Sequence, residues 1–130
     1  MLASILLSTL LAQAPAAAAP AAPQPNAAVD ERAREWFSRL QSGRIDYSQL
    51  DAQASAPLNS DVVLIISTNW SALGRPVAFE QVHSQAPTVT DPNSVYVYRV
   101  TFKNDVACDF FFGIDPQGNI SGMRLGPQEY

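Results

Sequence analysis

A chain of 130 residues with a formal net charge of −4 is sized for one domain, offers no cationic excess, and has in Cys108 no partner for an internal disulfide. None of the 8 Lys and Arg or 12 Asp and Glu residues lies before Asp30, so the chain divides into an uncharged leader and a charged remainder. The scattered charges argue against nucleic acid and anionic membrane as partners, and the lone cysteine leaves stability to packing.

Leu2 to Ala12 is an apolar run of signal-peptide length, too short to cross a bilayer, which needs roughly 20 residues. Ala14-Pro-Ala16 and Ala16-Ala-Ala18 fit the small-x-small cleavage pattern, although Pro15 and Pro20 disfavour cutting directly before them. No Lys or Arg accompanies Met1, so a plain apolar tail is the competing reading. Ala14 to Ala28 is almost wholly Ala and Pro and cannot build a core. Residues 1–28 are therefore expected to be signal peptide and spacer, and 29–130 the folded domain, periplasmic or secreted, with no membrane span after cleavage.

Asp30 to Ser42 has helical spacing in Ala33, Trp36, Phe37 and Leu40, and Gly43 ends it. Ile45 to Ala54 predicts a shorter helix capped by Asp46, with Tyr47, Leu50 and Ala54 as its stripe, closed by Pro57. Asn59-Ser60-Asp61 caps a third, whose Val62, Val63, Ile66, Trp70 and Leu73 keep the period until Gly74. Its β-branched cluster favours a strand, but length and caps decide for helix. Pro76 to Ser84 reads as an edge strand. Ser94 to Lys103, a turn at Asn104-Asp105, Val106 to Ile114 and a turn at Asp115-Pro-Gln-Gly118 make an antiparallel meander. The expected class is α+β, three N-terminal helices packed on a curved four-stranded antiparallel sheet.

Pairing Lys103 with Val106 would put Val95, Val97, Arg99, Thr101, Cys108, Phe110, Phe112 and Ile114 on one face. The other would carry Tyr96, Tyr98, Val100, Phe102, Ala107, Asp109, Phe111 and Gly113. Both are mostly apolar, so both want cover. Helices can cover one face, which predicts a homodimer through the other unless loops fold over it. A three-residue turn ending at Gly118 would set Arg124 and Arg99 around Phe110, either a stacking arrangement or a site for an acidic ligand.

Asp109 in that register neighbours Val100, Leu125, Tyr98 and Phe102. An apolar setting beside a phenol would raise its pKa and suit a general acid or base, whereas a place at a rim would leave it solvated. Cys108 in mid-strand reads as a small buried hydrophobe rather than a reactive thiol. His83 is the single histidine, so no metal site is expected, nor does any motif call for a cofactor. Asn69-Trp-Ser71 and Asn119-Ile-Ser121 match the glycosylation pattern, which recurs by chance.

Trp36-Phe37, Leu40-Gln41-x-Gly43, Leu73-Gly74-x-Pro76, Tyr98-x-Val100-x-Phe102 and Asp115-x-x-Gly118-x-Ile120-x-Gly122 resemble the nuclear transport factor 2-like (SnoaL-like, cystatin-like α+β cone) superfamily, over about Asp30 to Pro127. Within it the chain looks like small exported bacterial domains of unknown function. The resemblance implies a cone-shaped cavity between sheet and helices and dimerisation through the sheet; the superfamily hosts isomerases, dehydratases, polyketide cyclases and plain binding modules. Only Asp109 with Tyr98 would imitate its acid–phenol pair. The leading expectation is a non-catalytic exported domain binding a small apolar ligand or an envelope protein. Trp36, Trp70, Tyr98, Phe111 and Met123 would line the site or else simply fill the core. The alternatives are a small isomerase or hydratase acting through Asp109 and an accessory module held near the envelope.

Overall fold

In a computed structural model that describes residues 26–130, the first helix, α1 (Ala27–Ser42), begins earlier than the stripe suggests. Asn26 is the reason: its Oδ1 accepts the N–H groups of Ala28 at 3.0 Å and Val29 at 3.3 Å, satisfying donors that have no partner within the helix. The last residues of the Ala/Pro stretch are thereby drawn into the first turn, while the expected signal peptide and the rest of the expected spacer lie outside the described residues. Ala33, Trp36, Phe37 and Leu40 form the buried stripe, and Gly43, at φ 77°, closes the helix in a left-handed conformation.

The second expected helix is not continuous. Asp46 caps a 3₁₀ turn (Tyr47–Gln49), Leu50 is extended, and Asp51 caps the short α2 (Ala52–Ser55). Leu50 makes a parallel bridge to Ile120, and Asp51 donates its N–H to the Ile120 carbonyl at 2.9 Å. That strand-like tie to the sheet breaks the helix where periodicity alone would continue it. Tyr47, expected on an apolar stripe, is exposed and donates its hydroxyl to the Leu58 carbonyl at 2.6 Å.

Helix α3 (Ser60–Ser71) is held at its start by Asn59, whose Oδ1 accepts from Val62 N at 2.9 Å. The cap supports the helix despite its β-branched residues. No residue of α3 is fully buried, and Leu64 and Ile65 stay 65% and 59% exposed.

Strands β1 (Pro76–Gln85), β2 (Ser94–Phe102), β3 (Ala107–Ile114) and β4 (Ile120–Pro127) form one antiparallel sheet in sequential order. The β2–β3 register differs by one residue from the expectation. Phe102 N–H donates to the Val106 carbonyl and Asp105 N–H to the Phe102 carbonyl, each at 2.9 Å, so the loop is Lys103-Asn104-Asp105 rather than two residues. Asp105 takes φ 66°, the left-handed position of a three-residue hairpin. Val100 therefore faces Cys108 and Arg99 faces Asp109, which turns every β3 side chain over relative to β2. Tyr98, Val100, Phe102, Phe110 and Phe112 now share the helix side, where they join Trp36, Phe37, Leu40, Phe79 and Ile120 in one core.

The second hairpin follows its turn chemistry: Asp115 N–H donates to the Asn119 carbonyl at 2.8 Å, and Gly118 sits at φ 86°. An irregularity after Ile114 and Ile120 inserts Ser121, so Gly113 pairs with Gly122 and Arg124 with Phe111. Arg124 accordingly stacks on Phe111, not on Phe110, its guanidinium 3.8 Å from the ring centre. The pair of arginines about one ring does not form.

The side of the sheet away from the helices is covered in part by the chain itself. Tyr130 lies flat on His83, ring centres 4.4 Å apart and 9° between planes, and its ring is 6.2 Å from that of Phe111. His83 and Phe111 are the two cross-strand neighbours of Val97, which is 1% exposed although it is outside the helix-side core. Residues at the carboxyl end thus supply some of the shelter that the two-sided apolar pattern demands.

Candidate functional site

Asp109 is completely buried, on the face opposite Tyr98. Its Oδ1 is 3.0 Å from Arg99 Nε, and its Oδ2 accepts the N–H groups of Glu129 at 2.6 Å and Tyr130 at 3.1 Å. Arg99 also donates from Nη2 to the Tyr130 carbonyl oxygen. Burial pushes the carboxyl up, but the Glu129 N–H, the Arg99 guanidinium and the Tyr130 N–H outweigh it and hold the group below the usual carboxylate range. The raised pKa expected from an apolar setting is corrected: the one-residue register change puts Arg99, rather than Val100, across from Asp109. An ionised carboxylate tying down the end of the chain is the result.

Tyr98 has a different acidic neighbour. Its hydroxyl donates to Asp30 Oδ1 at 2.7 Å, and burial, reinforced by that bond, raises its pKa well above the ordinary phenol value. Asp109 and Tyr98 are consequently two separate arrangements, one on each side of the sheet, and not the acid–phenol pair the resemblance implied.

The remaining aromatic candidates are distributed likewise. Trp36 is fully buried with its Nε1 donating to Gln49 Oε1 at 3.1 Å. Trp70 stacks on Phe37, ring centres 5.4 Å apart, and meets Phe110 edge-on at 6.1 Å. Tyr98 leans on Phe79 at 5.0 Å. These three belong to the packed layer between helices and sheet, whereas Phe111 lies under Arg124 on the other side. Met123, opposite Phe112, borders a small hollow of about 240 Å3 with Leu40, Pro57, Leu58 and Ile66. Cys108 is half-buried, and burial, then the charge of Asp109, raises its thiol pKa. Among the described residues no three His, Cys, Asp or Glu side chains stand together as metal ligands.

The larger concavity is elsewhere. A cleft of about 540 Å3 opens where α1, the end of α3 and the start of β1 meet. Phe37 and Phe79 line its apolar part, their rings edge-to-face with centres 5.9 Å apart. Arg34 stands over Phe79 at 5.1 Å and donates one Nη2 bond to the Phe79 carbonyl at 2.7 Å, which fixes the guanidinium while leaving other donors of its fork. Ser38, Ser42 and Ser71 add hydroxyls. Gln41 shapes the far end by donating from Nε2 to the Trp70 carbonyl at 3.0 Å and the Gly74 carbonyl at 2.8 Å, pinning the α3–β1 turn against α1. Arg34 and Gln41 lie on the polar side of an amphipathic helix, where the sequence offers no sign that a turn from elsewhere will meet them. Phe79 sits in a strand that reads as a polar-interrupted edge.

No protein-family model matches the chain, and comparison with curated proteins and with solved structures likewise gives no match.

Proposed function

We propose that the chain is an exported, non-catalytic binding domain, and that its ligand is a small molecule with an apolar body and one negatively charged group, held in the cleft beside Arg34. The cleft itself carries this reading. Its volume of about 540 Å3 falls in the range of small-molecule sites, about 300–1,000 Å3, while the layer between helices and sheet is occupied by aromatic side chains. An apolar floor supplies affinity through area removed from water, and a guanidinium held over that floor supplies orientation by a charge-assisted bond. Export is supported by the uncharged apolar leader ahead of Asp30. Trp36, Trp70 and Tyr98 then serve as the packed backing of the site rather than as its lining.

Octanoate and its neutral counterpart octanol are suitable probes. Saturable amide shifts at Arg34, Phe37, Gly74 and Phe79 are expected with octanoate, and weaker ones with octanol. Arg34→Gln should lower octanoate affinity by about tenfold or more, the worth of a hydrogen bond to a charged group. Shifts confined to another part of the surface, or equal affinity in Arg34→Gln, would contradict the reading.

A further inference from the structure

The cleft beside Arg34 has a second guanidinium, at its other end. Gly74, at φ 83°, turns the chain out of α3, so Arg75 leads into β1 along the cleft wall, away from the end where Arg34 stands over Phe79. The two ends are pinned separately. Arg34 donates to the Phe79 carbonyl, while Gln41, about 10 Å farther along α1 by helical rise, donates to the carbonyl of Gly74, the neighbour of Arg75. Between them run Phe37 and Val77, the latter 63% exposed and passed over in the β1–β2 register between Pro76 and Ala78. Among the described residues no Asp or Glu lines the cleft, in a chain of net charge −4, and neither arginine enters a salt bridge. Asp30, one turn before Arg34, accepts the Tyr98 hydroxyl instead. Nor is Arg75 spent on the end of α3: the Trp70 carbonyl accepts from Leu73 N–H and Gln41 Nε2, and the Ser71 carbonyl from Gly74 N–H.

We propose that the ligand of this cleft carries a negative charge at each end of its apolar body, as an α,ω-dicarboxylate of about the length of octanedioate does. The inference rests on the cleft reading above and adds a second anionic group to it. Arg34 is held by its carbonyl bond and by the Phe79 ring, so it does not swing across to Arg75, and one carboxylate or phosphate does not engage both. Two separated cations call for two separated anions. A chain lying along Phe37 and Val77 removes apolar area from water and sets a carboxylate against each guanidinium, whose planar fork suits that group. A monoacid leaves Arg75 unmatched. A short diacid such as butanedioate lacks both the reach and the apolar body.

Amide-shift titrations of the purified full chain at about pH 7.5, where both carboxylates are ionised, compare octanedioate, octanoate and butanedioate. Octanedioate should bind about threefold or more tighter than octanoate, the worth of one exposed ion pair, and butanedioate more weakly than either. Its shifts should extend to Gln41 and Arg75. Arg75→Gln, a change at an exposed position, should abolish the preference for the diacid, and Arg75→Glu should reverse it, each lowering octanedioate affinity more than octanoate affinity. Octanoate seated in the cleft with octanedioate no tighter, or a diacid preference that survives Arg75→Glu, would overturn this inference while the single-anion reading stands. Failure of both acids to shift the cleft amides would overturn the two together.

Discussion

Asp109 and Arg99 face each other across β2 and β3 with Oδ1 3.0 Å from Nε, the carboxylate wholly buried and the guanidinium side chain 18% exposed. Removing the acid would leave the Arg99 guanidinium without its partner and free the backbone N–H groups of Glu129 and Tyr130. Asp109→Ala should therefore cost about 3 kcal/mol, the low end for one member of a buried pair, because Arg99 regains some water. The pH dependence has a definite sign. Asp109 is held below its unfolded value of about 3.9, so its stabilisation is complete above that pH and is lost as the pH falls through the folded value. Urea midpoints should thus decline more steeply below pH 4 in the wild type than in Asp109→Asn. Parallel profiles would show that Asp109 is not the group responsible.

Trp36 provides a second test, in which size and hydrogen bonding can be separated. Its indole N–H donates to Gln49 Oε1, but that oxygen also accepts from Arg32 Nε and Nη2, both at 3.3 Å. Trp36→Phe thus removes a donor without orphaning the acceptor, and should cost about 1–2 kcal/mol, mostly as lost volume. Trp36→Ala empties the centre of the α1 stripe and should cost about 3–5 kcal/mol. Chemical denaturation of both variants gives the two figures. Equal losses would mean that the hydrogen bond, not the packing, dominates.

The order of elements was readable because caps and breakers act locally: Asn59 fixes the start of α3, Gly43 the end of α1, Gly118 the second hairpin. What escaped the sequence was parity. Asn104-Asp105 looks like a two-residue turn, yet Asp105 alone takes the left-handed conformation and Lys103 joins the loop, and that single residue decides whether Asp109 meets a phenol or a guanidinium. The cleft escaped for another reason. Arg34, Gln41, Gly74 and Phe79 come from three elements whose meeting depends on tertiary packing, and no spacing along the chain records it.

Tyr98 makes a prediction at the alkaline end. Its phenol is kept protonated in the folded protein by burial and by donation to Asp30, so its pKa lies above that of an unfolded tyrosine, about 10. The stability this contributes is intact below pH 10 and is lost as the pH rises through the folded value. Absorbance at 295 nm should then show one tyrosine of the four ionising only as the chain unfolds, and that fraction should be missing in Tyr98→Phe. Because Asp30 remains half-exposed and can be hydrated, Tyr98→Phe should cost only about 1 kcal/mol. Full tyrosinate formation in a still-folded protein would contradict the assignment.

Gly113 and Ser121 test the irregularity that sets Arg124 on Phe111. A Cβ at Gly113 would come within 2.7 Å of Ser121 Oγ, closer than such atoms approach, and Ser121 is itself buried at 8% exposure. Gly113→Ala gains about 0.4–1 kcal/mol by restricting the unfolded chain, but overpacking beside Ser121 costs about 1–3 kcal/mol, so net destabilisation is expected. Ser121→Ala deletes the clashing oxygen while keeping the Cβ. The double variant should accordingly recover most of the loss, with a coupling of about 1 kcal/mol or more in a double-mutant cycle. Additive effects would indicate that β3 and β4 do not approach each other here and that Ser121 is not the residue inserted between Ile120 and Gly122. In that case the pairing of Phe111 with Arg124 would lose its geometric cause.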